Sequence, residues 1–423
     1  MVSSTDTGEP LDVAIVTTQY PAASETFVTA RLKTLHALGH RLHIYTMRPR
    51  HKDHQKLLDE RELHALVADQ NSVGASLRGV LQALARPVLL FDTLRWLWRR
   101  TSDRPEHLRF SLLILPRSFD ILAKLEQEPP AVLHLEWGHF PSVTAHLVQQ
   151  RLPEVIVSTS LIAYDLTTEY GGTIDVTRAA DVIRTQAAIN VPQIAGFTGV
   201  GPERIAVIYD GVDMARIDDL NAASQKVPGR VVCAARLVPD KGVDDAIRVF
   251  AAARRAAPDA TLHVLGDGPE AERLKRLATE LGVMDTVEFM GLVSHDQVLR
   301  ELGGAEVLLH LSLKERLPNV VKEAMACACL AITTRTVGIE ELVTDGQTGF
   351  VVEHGDLATP TALLSKALSA ELPLRQITEA ARHFIADNFD HQANVEKLVS
   401  SWRATIPTVR LDEANAVGVA RSG

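Results

Sequence analysis

A chain of 423 residues, 46% hydrophobic and 23% charged, is long enough for two domains with sizeable cores and has the makeup of an ordinary globular protein. Its formal net charge is −9, spread evenly: residues 1–225 hold 22 Lys and Arg against 26 Asp and Glu, and the remainder 22 against 27. That balance gives no support to nucleic-acid binding.

The three cysteines, Cys233, Cys327 and Cys329, lie in apolar surroundings with no metal-ligand partners at a recognised spacing. They are expected to be buried thiols in a cytoplasmic chain. The first ten residues are polar and lack the basic-then-apolar order of a signal peptide. No apolar run reaches the roughly 18 residues of a membrane span.

In chain order, residues 13–18 predict a buried strand, and 25–38 a helix with Ser24 as N-cap and Gly39 as stop. A strand over 42–46 completes a βαβ unit. Residues 51–130 lack strand signals and read as helical. Within them, 75–125 hold nine Arg and Lys against four Asp and Glu, with Leu90, Phe91, Leu94, Trp96, Leu97 and Trp98 among the bases. Two readings stand: an interfacial helix on an anionic membrane or lipid-linked acceptor, or ordinary amphipathic helices packed on the domain. Strands follow over 132–135, 155–160, 179–185 and 205–209. Residues 219–229, with Asn, Ser, Pro and Gly, read as an interdomain linker.

The second half opens with a strand over 230–234, then Arg236 and Lys241 on a loop, then a helix over 243–257. A guanidinium forks onto phosphate oxygens and an ammonium is a compact point charge, so this pair suits a diphosphate. A strand over 262–266 ends in Gly266-Asp267-Gly268-Pro269, a loop that lets backbone approach a ligand. The strand over 287–290 ends at Gly291. The densest stretch is 307–333: strand, loop, helix, strand. Pro318 is placed at the first helical position, and a helix over 319–327 buries Val320, Ala324 and Cys327. The amides of Asn319 and Val320 at that helix start favour an anion. Glu315 and Glu323 frame the spot, and carboxylates accept hydrogen bonds from sugar hydroxyls. The last part, 382–402, is helical.

The string Glu315-Arg316-Leu317-Pro318-Asn319-Val320-Val321-Lys322-Glu323-Ala324-Met325-Ala326-Cys327 resembles the glutamate-seven-residues-glutamate motif of the retaining family-4 glycosyltransferases. AARLVPDKG, with Arg236 and Lys241, resembles that family's GRLxxxKG. Residues 21–27, with Ser24 and Thr26, resemble the PxxSETF opening of a polysaccharide-building branch. Asp210-Gly211-Val212-Asp213 is similar to the family's NGVD turn, and Phe389-Asp390 to its crossover.

The resemblance implies the α/β GT-B architecture: two Rossmann-like domains facing across a cleft. The first is expected over 1–218 with a returning helix over 389–410, and the second over 228–388. It implies transfer of a sugar from a nucleotide diphosphate sugar to a saccharide, lipid-linked or small-molecule hydroxyl acceptor, with retention and without a metal or other cofactor. The chain is then a cytoplasmic enzyme of polysaccharide or glycoconjugate synthesis, and the two readings of 75–125, peripheral contact with the inner membrane face or helices packed on the domain, both stay open beside it. Glu315, Arg236 and Lys241 take the catalytic role. Arg236, Lys241, Gly266, Gly268, Gly291, Pro318, Asn319, Val320 and Glu323 hold the donor nucleotide. Ser24, Thr26, His134, Glu136, Asp165 and Arg316 face the sugar and acceptor.

The chain departs from the family at the sugar side. Glu136 stands where the second His of a His-x-His is expected, and Ile162 replaces another His. Arg316 replaces a Gly, Ala328 a Gly, Leu330 a Pro, and Val337 the first Gly of a pair that leaves Gly338. Two readings follow: an active transferase with unusual specificity, or a degenerate nucleotide-binding subunit without transfer. A sugar-nucleotide epimerase is disfavoured, because its pattern is absent.

Overall fold

The computed structural model describes residues 8–22, 25–50, 54–222 and 224–406. The chain divides into two compact units, one of residues 1–209 and 392–423, the other of 210–391.

The first unit is built on a seven-stranded sheet. Its strands are β1 (Asp12–Thr17), β2 (Arg41–Thr46), β3 (Ala68–Asp69), β4 (Val132–Leu135), β5 (Ile156–Ser160), β6 (Val182–Thr185) and β7 (Ile205–Val207). Their order is β3-β2-β1-β4-β5-β6-β7, and every pairing is parallel. The strands are buried on both faces, which is why they read as continuous apolar runs. Ala14, Val16, Leu133, Leu135 and Val157 enter one core, while Val13, Ile15, Val132 and Ile156 enter the other.

The second unit carries a six-stranded sheet: β8 (Arg230–Ala234), β9 (Thr261–Leu265), β10 (Val287–Gly291), β11 (Val307–His310), β12 (Leu330–Thr334) and β13 (Phe350–Val352). Their order is β10-β9-β8-β11-β12-β13, again all parallel. This is the Rossmann order, in which ligands bind outside the strand carboxyl ends where the order reverses. The reversal falls between β1 and β4 in the first unit and between β8 and β11 in the second.

The region expected to be helical holds the helices His54–Glu60, Val73–Leu84, Pro87–Thr101 and Pro105–Gln127. It also holds β3, two residues long, too short for a periodicity to reveal. The strand expected over 179–185 starts three residues late, because Gly171–Ala179 is helical. The stretch 219–229 is not a loose linker. The helix Met214–Asn221 occupies its start, and the Lys226 ammonium donates to the carbonyls of Leu302 (3.2 Å), Ala305 (2.7 Å) and Cys327 (3.0 Å). Those anchors hold 210–229 to the second unit.

The chain passes between the units at 209/210 and 391/392, and these two passages are paired within the second unit. Val212 N donates to Phe389 O at 2.8 Å and His391 N to Val212 O at 3.0 Å. Gly211 permits that approach, since a Cβ there would sit 2.3 Å from Phe389 O. The helical end is two helices, Leu374–Asn388 and His391–Thr405. The second joins the first unit's core through Trp402, fully buried, whose indole donates to Ser158 Oγ at 2.9 Å. Cys233, Cys327 and Cys329 are free and buried, as expected. Among the described residues, no helix is long and apolar enough to cross a membrane.

Candidate functional site

The site of the second unit is assembled by two loops at the carboxyl ends of β8 and β11. The loop after β8 bends at Gly242, φ 61°, where a Cβ would lie 1.9 Å from Leu311 O. That close approach lets the loops join: Leu313 N and Ser312 Oγ donate to Asp240 O at 2.8 and 3.1 Å. The pinning brings the Lys241 ammonium onto Glu315 Oε1 as an ion pair. Beneath it lies His310, 4% exposed, its ring pushed down to about 4 by burial and by the Lys241 charge. Its Nε2 has no hydrogen-bond partner. A neutral imidazole therefore floors the site at physiological pH.

Arg236 is exposed on the same β8 loop, and its side chain engages no other described residue. Gly266 and Gly268 let a second loop approach that one closely. Gly266 sits at φ 130°, and a Cβ on either would fall 1.9 Å from Ala235 O or 2.3 Å from Leu237 O. Leu237 N donates to Asp267 O (3.0 Å) and Glu270 N to Leu237 O (3.1 Å), so the two loops are bonded backbone to backbone. Gly291, φ 68°, ends β10 with open space around its Cβ position, and its carbonyl accepts from Gly266 N at 2.9 Å.

The helix Asn319–Ala326 begins where the sequence placed it and ends one residue short of Cys327. Pro318 is its N-cap, in extended conformation (φ −61°, ψ 128°), and not its first helical residue. The first backbone bonds it receives come from Val321 and Lys322. The Asn319 and Val320 amides precede them, as helix physics requires of an N-terminus. The buried stripe is Val321, Ala324 and Met325, with Cys327 behind; Val320 is only half-buried. Lys322, on the buried side, donates to Asp210 O at 2.7 Å and lies 5.6 Å from the Phe389 ring centre, fixing the helix to the paired passages. Glu323 faces the other way, its Oε1 2.8 Å from His295 Nε2. That bond raises the His295 pKa above its ordinary value against the opposing effect of burial.

The substituted positions have local explanations. Arg316 is half-buried and is not a positive-φ residue; the left-handed turn falls on Leu317, φ 46°. The loop thus takes a path that an Arg tolerates. Ala328 takes the left-handed conformation (φ 50°) at the helix end, the conformation that a Gly would adopt without strain. Gly338, φ 84°, begins a short 3-10 turn, and Val337 is exposed.

In the first unit, the described residues expected to face sugar and acceptor follow β1, β4 and β5 or lie within β4, and most are engaged with other side chains of the unit. Ser24 lies outside the described residues. Thr26 is exposed at the first position of the helix Thr26–Ala37. His134 is a core residue: fully buried, 2.9 Å from Ser158 Oγ, its ring centre 5.3 Å from that of Trp402, with a pKa held well below normal by burial and nearby Arg31 and Arg184. Glu136 is buried and ion-paired with Arg31, while its Oε1 accepts no hydrogen bond and lies 3.9 Å from His134 Nε2. Asp165 is buried and accepts from Ile162 N at 3.1 Å and from His139 Nδ1 at 2.7 Å. Ile162 is buried and apolar.

Two residues given no role from sequence complete this cluster. His139 reaches Thr18 Oγ1 at 3.4 Å with its second nitrogen. Glu25 is pushed up to about 7, chiefly by burial and then by the Glu136 carboxylate. Neither has a spacing signal: His139 is set by a side chain 26 positions away and Glu25 by one 111 away.

Residues 220–384 match the family model described as glycosyl transferases group 1. A GDP-mannose-dependent α-(1-6)-phosphatidylinositol monomannoside mannosyltransferase of Mycolicibacterium smegmatis is 33% identical over 183 residues, 41% of this chain and 48% of that protein. The chain spans about half the length of such curated relatives. A glycosyltransferase from Rickettsia africae superposes with a TM-score of 0.69 at 16% identity, covering 95% of this chain and all of that one. The Anabaena protein HepE, solved with UDP, gives 0.66 at 16%, covering 93% and all of that chain. The second unit therefore carries a glycosyl transferases group 1 domain, in a chain with the GT-B fold of two parallel-sheet Rossmann-like units.

Proposed function

We propose that the chain is a metal-independent retaining glycosyltransferase that takes its sugar from a nucleotide diphosphate sugar and passes it to a hydroxyl acceptor in polysaccharide or glycoconjugate synthesis. The observation that carries this reading is the convergence at the β8/β11 reversal: Arg236 unengaged, Lys241 beside Glu315, and the start of the helix Asn319–Ala326.

A departing nucleoside diphosphate gains negative charge. A guanidinium, an ammonium and two helix-terminal amides placed beforehand stabilise that charge as it grows. Glu323 would take the ribose hydroxyls in exchange for His295, and Glu315 would lie nearer the sugar. A solved structure of the same fold holds UDP, which is consistent with a nucleotide ligand for this chain.

A second reading rests on the first unit. Glu136 is occupied by Arg31 and Ile162 is apolar, so groups that would contact a neutral hexose are withdrawn. A nucleotide-binding subunit without transfer activity fits that withdrawal. Incubation with a panel of nucleotide sugars and acceptors, read by proton NMR of the product, separates the two. The transferase reading expects nucleoside diphosphate release and an anomer matching the donor. Nucleotide binding without turnover across the panel would favour the second. Arg316→Gly is expected to change the preferred donor or acceptor while leaving nucleoside diphosphate affinity near wild type.

A further inference from the structure

Two helices of the first unit are amphipathic in the wrong sense for a protein surrounded by water. The helix Val73–Leu84 buries its small residues, Ala75, Gly79 and Ala83. Gly79 packs so tightly that a Cβ would lie 1.7 Å from Pro116 O of the helix Pro105–Gln127. Its large residues point out: Leu77 is 62% exposed, Leu81 67% and Leu84 64%. Their spacing of four and three puts them on one face. The helix Pro87–Thr101 buries Thr93, Leu97 and Thr101 and exposes Val88, Phe91, Leu94 and Trp98, again at spacings of three and four. Leu112 and Leu113 of the third helix are exposed as well. Exposed apolar surface on this scale marks an interaction site.

Charge selects the partner. Residues 73–101 hold five Arg and one Asp, in a chain of net charge −9. Arg78 is paired with Asp120, Arg86 with Glu126 and Arg100 with Asp175, while Arg95 and Arg99 are exposed beside Trp98. A second copy of this face would bring like charges together in a two-fold contact. An anionic bilayer takes both features at once, aromatic and aliphatic side chains entering the headgroup boundary while arginines stay at the phosphate level.

We propose that the first unit docks on an anionic phospholipid surface through the face formed by Leu77, Leu81, Leu84, Phe91 and Trp98, with Arg95 and Arg99 as its electrostatic contacts. The docking is independent of the transferase reading, and its test uses no donor sugar.

The full chain is floated with phosphatidylglycerol vesicles and with phosphatidylcholine vesicles, at low and high salt. Binding is expected to the first at low salt, weakened by salt, with little to the second. Each arginine near such a surface contributes about a fivefold factor, so Arg95→Gln with Arg99→Gln should weaken binding roughly twentyfold. Phe91→Ser with Trp98→Ser should release the protein while leaving its melting temperature within error, because both side chains are exposed. Failure to float with phosphatidylglycerol overturns the proposal, as does equal binding by all variants. A concentration-dependent dimer in sedimentation, abolished by the Phe91 and Trp98 changes, also overturns it and makes the face an interface between copies.

Discussion

Residues within one motif were readable from the sequence because their chemistry depends on near neighbours. Arg236, Lys241 and Glu315 stand on the loops after β8 and β11 and Glu323 in the helix that follows, and Lys241 and Glu315 meet across 74 positions because two loops are pinned. Residues whose state depends on a distant side chain were not readable. The Arg31 ion pair of Glu136 and the packing of His134 against Trp402 are set by such distant side chains. Glu25 is the extreme case, a carboxyl raised to about 7 by burial and by Glu136. Because its folded pKa lies above its unfolded value, the fold favours its neutral form. Stability is then lost as pH rises from the ordinary carboxylate range through about 7. Glu25→Gln should melt above wild type at pH 8, with the difference shrinking towards pH 5. A pH-independent difference in calorimetry would show that Glu25 ionises freely.

Elements were legible where hydrophobic period and punctuation agreed, as in β4 and β8. They were blurred where tertiary packing set the limits. The 3-10 turn Arg254–Ala256 closes a helix that periodicity carried through 257, and Pro318 caps a helix it was expected to open from inside. The site helix also ends under strain. Ala328, φ 50°, follows Cys327, while Cys329 N donates back to Ala324 O at 2.8 Å. A left-handed Ala costs about 1–2 kcal/mol, and the extra freedom of Gly in the unfolded chain returns about 0.4–1 kcal/mol of that. Ala328→Gly is therefore expected to stabilise by roughly 0.5–1 kcal/mol in urea titration. A loss of stability would mean that the Ala methyl packs better than the backbone suffers.

At the scale of the molecule, two parallel sheets, each with its own core, follow from alternating apolar strands and helices, and this much the sequence disclosed. The unit boundary moved from 218 to 209 because the anchoring of 210–229 is made by side chains such as Lys226, invisible in composition. Separate cores imply separable melting. Scanning calorimetry should show two overlapping transitions, and UDP at about 100 times its Kd should stabilise the second unit by about 2.7 kcal/mol without moving the other. A single transition shifting as a whole would contradict independent units.

The claim on which the functional account stands is that the β8/β11 reversal binds a nucleoside diphosphate through its two basic side chains. Titration calorimetry with UDP, GDP, ADP and dTDP, on wild type, Arg236→Ala and Lys241→Ala, tests it most directly. One or more of the four nucleotides should bind wild type, and each substitution should cost about 1.5–3 kcal/mol, the worth of a charge-assisted hydrogen bond. If none of the four binds, or if both variants bind as tightly as wild type, the assignment of this site is contradicted.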